Sequence, residues 1–462
     1  MKQICEKYNY LHFKRGNTKI CSSFNIVIII LVMMAGNIFS AKAQQVWSIS
    51  KCIDYAVLNN IQLNHDYNQI KLNEVNLLES KAKLLPDVNL GSVVDFNYGR
   101  NIDGNTNAIT YDQTLTNSYW VNSSVNIFQG LVKYNTIRFN NFLLSATREK
   151  AVLEKNMLII KILTSYNMVR YGKGLSDVAQ SQVNLSRMQF ERMQKLVDVG
   201  QESPITVQEL KSQWAADKLS LTRAQNYLNK TVLELKQLLR LNASQSFSID
   251  TSYAIVLVDS RIPDVDSLFK TAVELLPQIK QSKYLLNASE KEFAMAKGGI
   301  SPRIYVSGGF NTGYFDGDTL GFNTQINNNQ NQWVNMGITI PIFNGASVYS
   351  RIKRKKIAVF DSELNLQKQR EDLYTEIWNA INDLQSAESE YQSSIELYGF
   401  SKLTLQNVTK KMEKGLAGPT DFEAAKQRFV NAEATLLKSK LIYIMRRQML
   451  EFYRTGNWGH LR

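Results

Sequence analysis

The sequence predicts a mixed α and β membrane protein built from a duplicated unit, in which two membrane β-strands precede long coiled-coil helices. An Ile-Phe-x-Gly sequence begins at Ile127 and again at Ile342, and each opens a long stretch without proline. Each stretch ends at a Gly-x-x-x-Pro sequence, and phenylalanine and glycine are 72 positions apart in both (128 to 200 and 343 to 415). A helix of that length measures about 100 Å at roughly 1.5 Å per residue, which is too long for a compact domain to bury.

Apolar residues in the second stretch step by alternating fours and threes. This is the spacing of a coiled-coil seam and differs from the alternation of a strand. The seam consists of Leu373, Ile377, Ala380, Leu384, Ala387, Tyr391, Ser394 and Tyr398. The sequence therefore predicts helices that pack lengthwise against other helices.

Four segments alternate with a period of two and predict β-strands. They cover residues 87–99, 119–128, 303–315 and 333–343. Each places apolar residues on one face and small or polar residues on the other, with the length typical of a membrane-spanning barrel strand. Four strands cannot close a barrel with an open interior, and open edges are not tolerated in lipid. We therefore expect the protein to oligomerise.

The N-terminus has the features of a secretory signal peptide, predicted to comprise residues 1–43. Basic residues precede an apolar run from Ile26 to Ala35, and Ala41-Lys42-Ala43 supplies a small-x-small cleavage site. Removal of six basic groups and one acidic group lowers the formal net charge from +13 to about +8. The remaining charge is spread along helices, so we expect no nucleic-acid partner. Cleavage also leaves Cys52 as the single thiol, which rules out an intrachain disulfide.

The predicted elements group into two structural repeats joined by an equatorial linker, residues 242–263. The first repeat, residues 44–241, has an initial helix, the strands 87–99 and 119–128, a long helix 131–199 and a return helix 205–241. The second repeat, residues 264–458, has an initial helix, the strands 303–315 and 333–343, a long helix 346–414 and a return helix 420–455. Interruptions are expected in both initial helices, at Asn59-Asn60 and at Pro277.

This duplicated order resembles the TolC family of outer-membrane efflux channels over residues 44–458. The resemblance rests on the order of elements and motifs in each repeat, which is helix, Pro, two strands, Ile-Phe-x-Gly, long helix, Gly-x-x-x-Pro and helix. It implies a homotrimer whose twelve strands form one β-barrel in the cell outer membrane, with outer-membrane lipid around it. Twelve helical columns would continue as a periplasmic α-helical barrel. The implied function is passive conduction of substrates outward from a periplasmic adaptor (membrane fusion) protein and an inner-membrane pump.

The resemblance also implies that the two Gly-x-x-x-Pro tips form the periplasmic entrance. The residues expected to dock the adaptor are Gly200, Ser203, Pro204, Gly415, Gly418 and Pro419. Asp421 is the expected gate residue, because related channels narrow the entrance with polar and charged side chains just beyond the tip glycine. Thr206 occupies the matching place in the first repeat. A purely structural role is also open: the glycines cap helices, the prolines stop them, and Asp421 complements the positive end of its helix.

No sequence pattern predicts catalysis, a cofactor or a metal site. Beyond the signal peptide the histidines are His65 and His460, and the sequence contains no phosphate-binding glycine loop, nucleophile elbow or zinc-helix motif. Two other classes remain open. A secreted coiled-coil structural or adhesive protein would not explain the symmetric strands, and a periplasmic binding protein or enzyme would need a compact core. The cargo and the class of pump stay open.

Overall fold

The computed structural model describes residues 46–102, 107–111, 113–250 and 262–459. The predicted signal peptide and residues 251–261 of the predicted linker lie outside these residues. The described residues divide into two units. The small unit contains Val46 and residues 246–248, and the large unit contains residues 47–245 and 249–459. The long helices and the main sheet all belong to the large unit.

The helices occur in the same order in both halves of the chain. The first half contains α1 (Ile49–Asn59), α2 (Ile61–Ala82), α3 (Val132–Asp198) and α4 (Pro204–Leu238). The second half contains α5 (Val265–Leu275), α6 (Pro277–Gly298), a short α7 (Phe322–Asn328), α8 (Ser347–Glu413) and α9 (Pro419–Thr455). The matched helices are 11, 22, 67 and 35 residues long in the first half and 11, 22, 67 and 37 in the second. Among the described residues, no helix is both long enough and apolar enough to cross a membrane.

Each initial arm consists of two helices separated by one extended residue. Asn60 takes extended backbone between α1 and α2, and its side-chain oxygen accepts a hydrogen bond from the Leu63 N–H at 3.0 Å. Leu276 is extended between α5 and α6, where Pro277 is the first helical residue. Proline suits that position because its missing N–H would have no partner in the first turn. The breaks therefore fall at the same place in both repeats for different chemical reasons.

The long helices pack against several neighbours along their length. α3 packs on α2, α4 and α6, and α8 packs on α5, α6 and α9. The buried residues of α8 are Leu373, Ile377, Ile381, Leu384, Ala387, Ser394 and Ser401, so Ile381 is buried where the sequence predicts Ala380. Across the seam, the Tyr391 and Tyr443 rings stack at 5.6 Å between centroids, and the Ser394 and Ser439 hydroxyls are 2.7 Å apart.

Four strands form one antiparallel sheet in the order β2-β5-β7-β8. They are β2 (Asp87–Tyr98), β5 (Gln113–Gln129), β7 (Arg303–Phe315) and β8 (Asn331–Thr339). Two further pairs are short: β1 (Val46–Trp47) with β6 (Ser248–Ile249), and β3 (Asn101–Ile102) with β4 (Ile109–Thr110). In the main sheet the two repeats lie side by side, because β5 of the first pairs with β7 of the second.

Two strand boundaries differ from the sequence prediction. β5 begins at Gln113 instead of residue 119, because residues 113–118 pair with the second half of β2. β8 covers Asn331–Thr339 instead of residues 333–343. Pro341 follows it, and proline has no backbone N–H to extend the ladder. The remaining boundaries lie within about three residues of those predicted, which is the uncertainty expected at element ends.

The main sheet has one apolar face and one polar face. The apolar face carries Val88, Leu90, Val94, Phe96, Val121, Val125, Val306, Phe310, Val334, Met336 and Ile338, and register places Val121 between Leu90 and Phe310. The polar face carries Asp87, Asn89, Asp95, Asn122, Asn311 and Asn335. Leu90 and Val334 are 80% and 81% exposed. Such an unburied apolar surface on a sheet is typical of contact with lipid.

A repeated two-residue turn joins each strand pair to its long helix. Gly130 and Leu131 have φ values of 57° and 60°, and Gly345 and Ala346 have 63° and 61°. The surroundings of the two glycines differ. A Cβ at Gly130 would lie 2.6 Å from the Gly298 carbonyl oxygen, whereas a Cβ at Gly345 would meet nothing within 4 Å.

We expect Gly130→Ala to destabilise the protein more than Gly345→Ala. Both place alanine in the left-handed region, which costs about 1–2 kcal/mol. Only at residue 130 must the backbone also move, which adds about 1–3 kcal/mol. Urea unfolding of the two detergent-purified variants measures the difference, and equal losses would show that contact with α6 does not constrain the turn.

Candidate functional site at the helical tips

Both long helices end in the same hydrogen-bonded cap. At the end of α3, Gly200 has φ 75°, its N–H donates to the Val197 carbonyl, and the Gln201 N–H donates to the Leu196 carbonyl, both at 2.9 Å. At the end of α8, Gly415 has φ 70°, and the Gly415 and Leu416 N–H groups make the matching bonds at 3.1 and 2.9 Å. This pair of bonds is the Schellman motif, which requires a left-handed residue and therefore favours glycine.

The return helices begin with proline in both tips but are capped differently. Pro204 and Pro419 are the first helical residues of α4 and α9. In the first tip the Ser203 hydroxyl accepts a hydrogen bond from the Ile205 N–H at 3.3 Å. In the second tip Gly418 has no side chain to offer, and the Asp421 carboxylate accepts a bond from the Gly418 N–H at 3.3 Å. The predicted gate residue thus has a structural role at the start of α9.

Apolar side chains are exposed on these rigid turns. Ile205 is 71% exposed and Leu416 is 74% exposed, and Val199 is also exposed. Leu416 lies directly after the left-handed glycine of its tip, whereas Val199 directly precedes its own. An exposed apolar group held on a fixed backbone is a suitable contact for a protein partner.

The two tips are attached to each other just behind their ends. Met193, Val207 and Leu210 form a buried cluster within the first hairpin, and Met412 of the second hairpin packs against it. The Arg192 guanidinium lies 3.5 Å from the Glu413 carboxylate, which adds an exposed ion pair between α3 and α8. The structure therefore brings the two predicted docking tips together on one end of the large unit.

A buried ionic cluster lies behind the second tip. Lys426 of α9 is fully buried, and its Nζ donates to Asp217 Oδ2 of α4 at 2.8 Å and to Ser186 Oγ of α3 at 2.9 Å. Glu423, one turn earlier on α9, accepts from the same Nζ at 2.8 Å. The Ser186 hydroxyl also contacts Asp217, and the Gln213 amide donates to Asp217 at 3.2 Å. The cluster joins three helices from both repeats with its polar groups paired.

Burial raises the pKa of Glu423 above its ordinary value, although the bond and the charge of Lys426 oppose the shift. The desolvation cost of the carboxylate thus outweighs the attraction of the ammonium at this position. Glu423 is the half-buried member of the cluster, whereas Asp217 and Lys426 are enclosed. The cluster therefore has a fixed inner pair and an outer carboxylate that gains a proton more readily than ordinary glutamate.

This cluster was not predicted from the sequence. Its members come from positions 186, 217, 423 and 426, and each occurs on a helix where charged residues are common. One signal was available: register along α9 places Lys426 on the same side as Phe422, one turn away, and Phe422 is fully buried. A lysine on the apolar face of a helix needs an acidic partner from another element.

The family model described as "Outer membrane efflux protein" matches residues 268–452 of this chain. The chain is 19% identical over 410 residues to the outer membrane efflux protein BepC of Brucella suis, which covers 88% of this chain and 85% of BepC. It is 22% identical over 383 residues to the outer membrane protein TolC of Escherichia coli, which covers 79% of this chain and 74% of TolC. The fold is similar to the crystal structure of the outer membrane channel CmeC of Campylobacter jejuni, with a TM-score of 0.76, 15% identity and coverage of 89% and 86% of the two chains.

We expect Lys426→Met to destabilise the protein by about 3–5 kcal/mol, because it leaves a buried carboxylate without its cation. The matched control is Arg446→Met on the same helix. Arg446 pairs with Asp383 of α8 at 3.0 Å, but both side chains are more than a third exposed. A pair of that kind is worth about 0–1 kcal/mol. Thermal unfolding of both variants tests the difference, and the double variant Lys426→Met with Asp217→Leu should regain much of the loss.

The raised pKa of Glu423 predicts a pH-dependent difference between the protein and its Glu423→Gln variant. The folded state binds the Glu423 proton more tightly than the unfolded state, so this group adds stability as pH falls through its raised pKa towards 4.5. The variant lacks that gain. We expect it to be at least as stable as the parent at neutral pH and to lose ground as pH falls. Unfolding midpoints measured across this range check the sign, and the opposite trend would contradict the assignment.

Proposed function

This chain belongs to the TolC family of outer-membrane efflux channels, and we propose that three copies form one conduit with its entrance at the helical tips. It is the outer-membrane component of an efflux or export system, a passive channel and not an enzyme. Its helices extend into the periplasm. The alternative of a secreted coiled-coil structural or adhesive protein is not favoured, because the family match covers strands β7 and β8 together with α8 and most of α9.

The proposal of a trimer rests on the main sheet. Its outer strands, β2 and β8, each pair with one neighbour in the chain, so each leaves an edge. Three copies joined edge to edge give twelve strands, as the family resemblance implies. The apolar face would then contact outer-membrane lipid and the polar face would line a water-filled exit.

Docking of a periplasmic adaptor is proposed at the two tips, residues Gly200, Ser203, Pro204, Gly415, Gly418 and Pro419. Support comes from the repeated caps, which hold the exposed Ile205 and Leu416 on fixed turns. An inner-membrane pump would act through this adaptor, as the resemblance implies. The single observation that carries the entrance proposal is the attachment of both tips to each other at one end of the large unit.

Opening of the entrance would require α9 to move against α3 and α4. The cluster around Lys426 opposes that movement, because separating its partners would leave charges buried and unpaired. Asp421 lies five residues before Lys426, roughly 7.5 Å along the helix. We propose that Asp421 contributes a charged constriction at the entrance and that the Lys426 cluster holds α9 in position.

Asp421→Asn and Asp421→Ala separate the gate from the cap. Asparagine keeps an oxygen for the Gly418 N–H and removes the charge, whereas alanine removes both. If charge narrows the entrance, both variants conduct more than the parent in single-channel recordings of the purified protein in a planar bilayer. Thr206→Ala, at the matching place of the first repeat, is the control and should conduct as the parent does.

An increase with alanine alone would assign the effect to the cap. Light scattering of the same samples gives the subunit number. A conducting trimer supports the proposed function, whereas a soluble monomer without bilayer activity contradicts it.

A further inference from the structure

Two tryptophans lie on the polar face of the main sheet. Trp120 of β5 and Trp333 of β8 each begin a Trp-Val-Asn sequence. Register places Trp120 opposite Gly91 and Asn311, and Trp333 opposite Gly309. Aromatic residues of membrane strands usually form girdles on the lipid-facing side. These two residues are on the other side of the sheet.

Each indole covers a glycine of the adjacent strand. A Cβ at Gly309 would lie 2.9 Å from both Cε2 and Cζ2 of Trp333, and a Cβ at Gly91 would lie 2.6 Å from Cε2 of Trp120. The rings occupy the space that a side chain would fill, so any larger residue at these glycines would displace them. Each ring therefore lies against the backbone of the adjacent strand, and since both tryptophans are half-buried, part of each indole stays exposed on the polar face.

The same arrangement occurs a third time. Tyr305 of β7 covers Gly337 of β8, and the Arg303 guanidinium lies 5.6 Å from the centre of the Tyr305 ring. Three large aromatic rings of the polar face thus lie over the backbone of adjacent strands instead of projecting away from the sheet. We define Trp120, Trp333 and Tyr305 as the aromatic ledge.

Charge on the polar face favours a cation. Within the four described strands this face carries two carboxylates, Asp87 and Asp95, and one cation, Arg303, while the apolar face carries no charged residue. Asp87 and Asp95 are each four residues from Gly91, about 13 Å along the strand. They therefore lie on either side of the indole of Trp120. Arg303 lies at the start of β7, beside Tyr305.

We propose that the aromatic ledge is a binding site for planar aromatic cations inside the conduit. Such a ligand would stack on the exposed part of the indoles and be attracted both by the ring quadrupoles and by the two carboxylates. The inference rests on the proposed function in one respect, because it requires that the polar face line the conduit. With this site, the part of the conduit formed by the strands would bind planar aromatic cations selectively.

Block of single-channel current by ethidium, a planar aromatic cation, tests the proposal. The double variant Trp120→Ala with Trp333→Ala should need about tenfold more ethidium for half block, which corresponds to about 1.4 kcal/mol of stacking on the two indoles together. The matched control is Trp378→Ala, which removes an exposed tryptophan of α8, away from the sheet. The double variant to phenylalanine keeps two π-faces and should retain most of the block. Raffinose, an uncharged solute without a π-face, should affect all variants equally.

Equal block of the parent and the double alanine variant would overturn the ledge while leaving the channel intact. Ethidium binding to the detergent-purified protein, followed by tryptophan quenching, gives a second measurement that does not depend on conduction. A soluble monomer that fails to conduct but binds ethidium through Trp120 and Trp333 would contradict the proposed function and retain the site. Loss of folding in the double alanine variant would appear in its unfolding curve, and the single variants Trp120→Ala and Trp333→Ala, each expected to weaken the block, would then be compared with Trp378→Ala.

Discussion

The outer edges of β2 and β8 are the constraint on which the rest of the structure depends. Each of these strands forms its ladder with one neighbour, β5 or β7, and so leaves a row of backbone groups without a partner in the main sheet. In lipid no water is present to satisfy them, and each unsatisfied group costs several kcal/mol. A sheet that lies in lipid, as we propose for this one, therefore needs further strands, and another copy of the same chain can supply them. The duplication produces both edges: the strand pair of the first repeat, β2 and β5, forms one edge of the sheet, and the strand pair of the second repeat, β7 and β8, forms the other.

The helices follow from the same duplication. Every strand pair ends in a turn of two left-handed residues that starts a helix of 67 residues. No single partner of equal length returns along it. Instead, α4 covers one half of α3 while α2 and α6 cover the other half, and α8 is covered in the same way by α9 and by α5 with α6. An arm of 11 and 22 residues and a return helix of 35 or 37 residues together have about the length of one long helix of 67 residues.

Sequence reasoning was most successful where a local residue type determines the backbone. Gly200 and Gly415 end helices because the cap needs a left-handed residue, and Pro204 and Pro419 start the next helices because they need no N–H partner. It failed where pairing with another strand determines whether a segment becomes a strand. Residues 113–118 are Gln-Thr-Leu-Thr-Asn-Ser, which has little apolar alternation, and they become a strand because β2 pairs with them. The Lys426 cluster was missed for a related reason, since Lys426 lies more than 200 positions from Ser186 and Asp217 in the chain.

The position of Lys426 also links the tips to the movement proposed for the entrance. Helix α9 begins at Pro419, is capped through Asp421, and reaches the buried cluster within its first two turns. A force applied to the second tip is therefore transmitted to the cluster through a short, hydrogen-bonded piece of helix. The first tip has no equivalent, because Thr206 replaces Asp421 and its helix contributes the acceptor Asp217 and not the lysine. The two tips are alike in backbone and unlike in charge, and any movement of α9 away from α4 would separate the desolvated ion pair of Lys426 and Asp217.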